Sequence, residues 1–172
     1  MKIEKTFIND LLIVHVNQFP DKRGFFQEQY SYKYYKESVF KNKFVQDNLT
    51  YSKKNVLRGL HFQVHKPQAK LISVIYGKIF DVAVDLRPKS KTYLKYFSII
   101  LSNKNNKQLF IPKGFAHGFF VLSEFAYVNY KCSDYYNSTD DNGIIWNDKK
   151  INIKWPLRNN IPIISKKDKK LN

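Results

Sequence analysis

The chain contains very little cysteine, with Cys132 alone among 172 residues. A single cysteine cannot form an intramolecular disulfide, and no other ligand residue lies near it at metal-binding spacing. We therefore expect Cys132 to pack as a small apolar side chain, in a reducing compartment. No apolar run reaches the roughly 18 residues that span a bilayer, and Met1 to Lys5 lacks the apolar core of a signal peptide. These absences predict a soluble, cytoplasmic protein with no membrane partner.

Acidic residues are also scarce, since 14 Asp and Glu stand against 30 Lys and Arg and the net charge is +16. A basic surface can contact the phosphates of nucleic acid. Here the lysines are dispersed, with short groups such as Lys53-Lys54 and residues 166–170, and the aromatic residues lie mainly in apolar runs. We predict no nucleic-acid partner. The positive charge favours capture of an anionic small molecule, such as a nucleotide-linked metabolite.

Helical periodicity is nearly absent, and only residues 32–40 show it, briefly. Short segments of period two dominate, separated by turn residues, which is typical of strands. Many short strands with so little helix indicate a closed sandwich, a jelly roll or a barrel, in one domain over residues 1–172. We predict an all-β sandwich of the jelly-roll type with one or two short helices. Besides the pair described next, the predicted strands are 11–16, 25–30, 44–52, 56–63, 96–102, 108–112, 115–122 and 125–132.

The clearest pattern covers residues 70–87. Residues 71–76 form one apolar arm, Gly77-Lys78 reads as a turn, and residues 79–87 form a second arm. Alternation along the second arm puts Phe80, Val82, Val84 and Leu86 on one face, with Asp81, Ala83, Asp85 and Arg87 on the other. The pattern predicts a hairpin with one apolar side.

Ionisable groups interrupt the apolar run Arg58-Gly59-Leu60-His61-Phe62-Gln63. A lone strand histidine is usually a satisfied core residue, but a guanidinium in an apolar strand needs a carboxylate or a phosphate. Simple alternation puts His61 on the face of Leu57, Gly59 and Gln63, with Arg58 pointing away unless Gly59 hosts a bulge. The concentration of polar groups favours a wall that faces a ligand.

Two further residues leave the choice between packing and function open. His117 lies among Phe115, Phe119 and Val121, and both Gly114 and Gly118 permit close approach, so packing and substrate contact are equally consistent with the pattern. In the strand predicted over residues 125–132, Tyr130 shares a face with apolar side chains. A buried phenol in such a place usually just donates one hydrogen bond.

Several kinds of chemistry find no support in the sequence. His61 and His65 are four residues apart, Pro67 follows, and no glutamate precedes Gly77, so we predict no metal. No Gly-x-Ser-x-Gly elbow, phosphate-binding glycine loop or dinucleotide fingerprint is present. Acid–base chemistry by His, Tyr, Lys and Asp remains, without a cofactor, with histidine as base and tyrosine as proton donor.

Taken together, ordered blocks along nearly the whole chain resemble the family of nucleotide-sugar epimerases typified by dTDP-4-dehydrorhamnose 3,5-epimerase, the third enzyme of dTDP-L-rhamnose synthesis. Ile164-Ser165-Lys166-Lys167-Asp168 is similar to that family's closing motif. The other matching blocks are residues 21–28, 44–48, 55–63, 68–71, 80–87, 111–119, 130–131, 135–136, 146–148 and 153–156.

The resemblance implies a cupin-like jelly roll, a homodimer, and a nucleotide-diphospho-4-keto-6-deoxy sugar as substrate. A base removes the hydrogens of C3 and C5, which the 4-ketone acidifies, and an acid reprotonates the opposite face. It implies His61 as the base, Tyr130 as the acid, Asp168 as the partner of His61, and Lys70 at the enolate oxygen. It also implies a set of substrate-binding residues, some donated across the dimer: Arg23, Glu28, Gln46, Asn48, Arg58, His117 and Tyr135, the last stacking on the base.

Composition alone would make Asp168 a solvated acid in a basic tail, so its role rests on the resemblance. Relatives include enzymes that epimerise only C3, enzymes that act on GDP-linked sugars, and 4-ketoisomerases, and these alternatives stay open for this chain. A noncatalytic jelly roll that binds a nucleotide sugar is the alternative from another class.

Overall fold

The structure is a computed structural model that describes residues 1–38, 41 and 43–171. Almost all of its regular structure is strand. One α-helix, α1, covers Tyr32–Ser38, and a 3-10 helix covers Asp168–Lys170. The strands are β1 (Lys2–Lys5), β2 (Leu12–His15), β3 (Gln18–Asp21), β4 (Gly24–Gln27), β5 (Gln46–Lys53), β6 (Leu57–Gln63), β7 (Lys70–Tyr76), β8 (Lys78–Asp85), β9 (Tyr96–Ser102), β10 (Lys107–Ile111), β11 (Phe115–Val121), β12 (Phe125–Cys132) and β13 (Asp141–Gly143).

Two antiparallel sheets face each other. The six-stranded sheet has the order β1-β2-β10-β7-β12-β5, and the five-stranded sheet has the order β13-β6-β11-β8-β9. Apolar side chains from both, such as Ile72 and Val128 of the first and Ile79 and Val121 of the second, form the core between them. The predicted all-β sandwich is confirmed, and most predicted strands coincide with observed ones within two residues.

The predicted hairpin at residues 70–87 is wrong. β7 belongs to the six-stranded sheet and β8 to the five-stranded sheet, so Gly77 carries the chain from one sheet to the other. Side chains hold this corner: Asn103 Oδ1 accepts the Gly77 amide at 3.1 Å, and Ser123 Oγ accepts the Lys78 amide at 2.8 Å. Side-chain alternation defines the two faces of a strand but not which strand pairs with it. For this reason the sequence pattern could not distinguish a hairpin from a corner between two sheets.

The alternation predicted for β8 is confirmed, but both of its faces are buried. Val82 and Val84 pack on the outer side of the sheet against Ile151 and Ile153. The opposite face, which carries Asp81, Ala83 and Asp85, points into the interior between the sheets. The acidic face of this strand is therefore the one directed toward the centre of the molecule.

Helix α1 covers the outer face of the six-stranded sheet. Tyr35 packs there among Leu12, Val14 and Leu71, and its hydroxyl donates to Gln108 Oε1 at 2.6 Å. The helix was predicted over residues 32–40, of which Val39 and Phe40 lie outside the described residues. Among those that are described, no helix has the length and apolar character needed to cross a bilayer.

The carboxyl-terminal segment is fastened to the sandwich, despite its many lysines. Ile163 bridges Val56 in parallel, and its carbonyl accepts the Leu57 amide at 3.0 Å. Further on, Lys167 pairs with Asp141, and the Leu171 side chain packs against Gly143. These contacts bring the short 3-10 helix, and with it Asp168, against β6.

Candidate active site

A cavity of about 610 Å³ opens between the two sheets, at the end where β7 begins and β12 ends. Its lining mixes polar, ionisable and aromatic side chains. The six-stranded sheet supplies one wall, the five-stranded sheet the facing wall, and the carboxyl-terminal segment closes a side. The lining includes Gln46, Asn48, Thr50, Leu57, Arg58, His61, Gln63, Gln68, Lys70, His117, Phe119, Tyr130, Cys132, Tyr136, Asp141, Ser165, Lys167 and Asp168.

A bulge in β6 brings Arg58 and His61 to the same wall. His117 pairs with His61 and Phe119 pairs with Arg58. β6 therefore has one more residue than β11 between these two pairs. Gly59 lies in between with φ +104°, and a Cβ there would lie 2.6 Å from the His117 carbonyl oxygen. Only glycine fits, and the extra residue turns both side chains into the cavity, as the bulge alternative predicted.

His61 is backed by a buried carboxylate. Its Nε2 lies 3.2 Å from Asp168 Oδ1, and the side chain of Asp168 is 5% exposed against 28% for His61. The other oxygen, Oδ2, accepts the Gly59 amide at 3.3 Å. Burial raises the pKa of the Asp168 carboxyl, but the hydrogen bond and charge of His61, with the Gly59 amide, outweigh it and lower that pKa. Asp168 is thus poised to stay charged beside the imidazole.

A second histidine–carboxylate pair lies beside the cavity, with only its histidine in the lining. His117 Nε2 lies 2.9 Å from Asp81 Oδ2, and both side chains are buried. Sequence reasoning named His117 but missed Asp81, although the alternation along β8 had put this acid on a face of its own. The missing information was that this face points inward.

Tyr130 and Lys70 come from the facing wall. Tyr130 lies on β12 and pairs with Asn48 of β5, while Lys70 begins β7 beside Cys132. Burial raises the pKa of the Tyr130 phenol and lowers the pKa of the Lys70 ammonium. Within the described part of the chain, Lys70 forms no ion pair. An unpaired ammonium that lines the cavity is well placed for an anionic oxygen of a ligand.

Arg58 is exposed at the mouth of the cavity. Its Nε donates to Ser52 Oγ at 2.8 Å and one terminal nitrogen donates to the Tyr51 carbonyl at 3.2 Å. No carboxylate pairs with it among the described residues, so most of its donor fork is free for a phosphate.

Gln46 and Asn48 line the same wall as Tyr130. Gln46 Nε2 donates to Asn48 Oδ1 at 2.9 Å, and Gln46 Oε1 accepts the Tyr136 amide at 2.8 Å. Cys132 is buried, as predicted, and Asn48 Nδ2 lies 3.7 Å from its sulfur. Burial raises the pKa of that thiol, consistent with a packing role.

Three predicted substrate-binding residues lie outside this cavity. Arg23 sits at the tip of the β3-β4 hairpin, where it pairs with Asp21. Glu28 follows that hairpin and is exposed, and Tyr135 is 67% exposed. Their roles stay predictions.

Sequence reasoning also missed Asp141 and Lys167, which pair at the edge of the cavity beside Tyr136. Asp141 begins β13, which is only three residues long. A strand this short has too few residues for side-chain alternation to identify it as part of the cavity wall. Among the described residues, no group of three or more His, Cys, Asp or Glu side chains is arranged to hold a metal. The expected absence of a metal and a cofactor stays a prediction.

The arrangement suits proton transfer at carbon next to a carbonyl group. A carboxylate-backed imidazole on one wall can take a proton, and a phenol on the facing wall can give one from the other side. The ammonium of Lys70 can stabilise the charge that develops on the carbonyl oxygen.

Comparison with known proteins gives a consistent result. A family model described as dTDP-4-dehydrorhamnose 3,5-epimerase matches residues 5–172. The dTDP-4-dehydrorhamnose 3,5-epimerase of Shigella flexneri is 47% identical over 98% of this chain and 93% of its own. That of Methanothermobacter thermautotrophicus is 47% identical over 96% and 90%.

Solved structures agree in fold. The dTDP-6-deoxy-D-glucose-3,5-epimerase of Legionella pneumophila, in complex with dTDP-4-keto-L-rhamnose, has a TM-score of 0.95 at 45% identity, covering 98% of this chain and 89% of its own. The Bacillus anthracis enzyme with TDP and PPi bound has a TM-score of 0.96 at 44% identity, covering 99% and 98%. The predicted cupin-like jelly roll is confirmed.

Proposed function

Since the chain belongs to the dTDP-4-dehydrorhamnose 3,5-epimerase family and is therefore an epimerase, we propose that it converts dTDP-4-dehydro-6-deoxyglucose to dTDP-4-dehydrorhamnose in the cavity between its sheets. One observation carries the proposal. His61, backed by Asp168, and Tyr130 face each other across one cavity that also contains the unpaired Lys70.

His61 is the base that removes the proton from C3 and then from C5. The Asp168 carboxylate pairs with Nε2 of His61, so Nδ1 of His61 is the nitrogen that accepts the substrate proton. The 4-ketone makes both carbon-bound hydrogens acidic, because the electron pair left behind moves onto the ketone oxygen as an enolate. The Asp168 carboxylate then stabilises the imidazolium that forms.

Lys70 stabilises the enolate and Tyr130 completes each inversion. The buried ammonium costs little further reorganisation when negative charge appears on the ketone oxygen. Tyr130 delivers a proton to the carbon from the face opposite His61, which inverts the stereocentre. Burial raises the pKa of the phenol, so the phenol keeps its proton until it transfers that proton to the enolate carbon. Solvent exchange then resets His61 and Tyr130.

Substrate binding uses the remaining polar groups of the cavity. Arg58 has a donor fork that suits the diphosphate, and Gln46 and Asn48 present amides to the sugar or the nucleotide. His117 contributes Nδ1, the ring nitrogen that Asp81 does not engage, from the five-stranded sheet.

We also infer that the active protein is a homodimer, because predicted binding residues lie away from the cavity of their own chain. The β3-β4 hairpin exposes Phe19, Phe25 and Phe26, a surface that a second copy would cover. In such a dimer Arg23 and Glu28 reach the partner's cavity, and Tyr135 stacks on the base.

Proton exchange tests the function. Purified protein is incubated with dTDP-4-keto-6-deoxyglucose in deuterated water, and the C3 and C5 proton signals are followed by NMR. We expect both signals to disappear. Loss at C3 alone would indicate a 3-epimerase, and loss at neither carbon would indicate another sugar nucleotide or a noncatalytic binder.

Two substitutions test the roles. His61→Ala should abolish exchange at both carbons, because no base remains. Tyr130→Phe should slow inversion by about 100-fold or more while the stability of the fold changes little. Unchanged exchange in both variants would refute the assignment of base and acid.

A further inference from the structure

We propose that Asp81 is a positioning residue for this epimerisation, whose carboxylate orients His117 toward the substrate. Since this inference deepens the proposed function, it rests on that function. Asp81 does not line the cavity, whereas its partner His117 does. It therefore acts through His117 and not on the substrate.

The first support is the position of Asp81. It is completely buried on the inward face of β8, where its two nearest neighbours along the strand, Ile79 and Ala83, are apolar. A carboxylate in such a place costs several kcal/mol unless cations or donors compensate it. A small apolar residue would suit packing better, so its presence calls for another explanation.

The second support is that Asp81 is only half satisfied. Oδ2 lies 2.9 Å from His117 Nε2, while Oδ1 is buried with no hydrogen-bond partner among the described residues. Asp85, on the same face of the same strand and just as buried, provides the comparison. Arg87, Ser90 and Thr92 satisfy both of its oxygens, which is what a structural buried carboxylate requires.

The third support is that Asp81 determines the state of His117. Because the Asp81 carboxylate accepts from Nε2, that nitrogen carries a proton, and Nδ1 is left for the ligand.

The test uses Asp81→Asn, which keeps the shape and removes the charge. We expect kcat for exchange at C3 and C5 to fall about 10- to 100-fold, with KM changing by less than about threefold. In a His117→Asn background the same substitution should cost at least about five times less. Equal costs in the two backgrounds would overturn the proposal.

The matched control is Ser90→Ala, which removes one hydrogen bond from the other buried acid, Asp85. It should lower stability without changing kcat in the folded protein. Should Asp81→Asn fail to fold, Asp81→Glu, which moves the carboxylate, replaces it in the cycle with His117→Asn. Additive effects there would contradict coupling between Asp81 and His117.

A readout that needs no substrate separates this inference from the proposed function. Nitrogen-15 NMR of the histidines should find His117 protonated at Nε2 in the wild type and lose that preference in Asp81→Asn. A proton on Nδ1 alone in the wild type would overturn the inference, whereas absent exchange in the wild type would overturn the proposed function.

Discussion

At the scale of the residue, burial and pairing give ordinary side chains their chemical roles. Asp168 is held ionised by His61 and the Gly59 amide against the cost of burial. On the facing wall, burial lowers the pKa of the Lys70 ammonium and raises the pKa of the Tyr130 phenol, which favours the neutral form of each. The cavity therefore combines a stabilised carboxylate with an acid and a cation that respond to charge on a substrate.

Asp168→Asn tests the importance of that carboxylate. The variant keeps the shape of the side chain but removes the charge that stabilises protonated His61, so we expect proton exchange at C3 and C5 to slow by about 100-fold or more. NMR in deuterated water measures the rate. Lys169→Gln, in the same turn and exposed, is the control and should leave the rate unchanged. Equal rates in the two variants would show that His61 works without its partner.

At the scale of the element, irregular positions decide which side chains meet. The bulge in β6 turns Arg58 and His61 to the same wall, and the corner at Gly77 sends β8 into the opposite sheet from β7. The corner also directs Asp81 toward His117. Regular strands alone would have separated these groups.

Gly77→Ala tests the corner. Gly77 has φ +90°, and a Cβ there would lie 2.3 Å from the Phe125 carbonyl oxygen, so we expect a loss of about 2 kcal/mol or more in the free energy of unfolding. Gly24→Ala is the matched control, since Gly24 also has positive φ but faces open space. Urea denaturation compares the two variants. A loss at Gly77 no larger than that at Gly24 would show that the corner tolerates a side chain.

At the scale of the whole molecule, one chain assembles most of the cavity but leaves Arg23 and Glu28 on or near an exposed hairpin. That hairpin carries apolar side chains and pairs with no other strand in the described part of the chain. A homodimer that exchanges these hairpins would complete each cavity with residues of its partner and would bury the exposed aromatics.

Subunit mixing tests this exchange. Arg23→Ala and His61→Ala should each be nearly inactive at low substrate concentration, yet a mixed dimer would contain one intact cavity. Random mixing should restore about a quarter of wild-type exchange activity, because half of the dimers are mixed and each has one good site. Mixing His61→Ala with Tyr130→Phe, whose sites share a cavity, is the control and should restore nothing. No restoration in the first mixture would refute the exchange.

Much of this protein follows from local sequence pattern. Alternating side chains predicted most of the strands and the two-sheet sandwich, because a half-buried strand must alternate wherever it lies. The conflict between charge and apolar surroundings pointed to Arg58, His61 and His117, which the structure brings into one cavity together with Tyr130, Lys70 and Asp168. Lone ionisable groups in apolar runs are visible without knowing the fold.

Only the tertiary structure determined the contacts between residues that lie far apart in the sequence. The pattern of residues 70–87 could not reveal that its two arms join different sheets, since side-chain alternation is the same in a hairpin and at a corner. It also could not show that the acidic face of β8 points inward to His117, or that the basic tail folds back to put Asp168 beside His61. Local sequence sets the periodicity of each strand, whereas long-range packing selects which faces meet, and the chemistry of this cavity arises where they do.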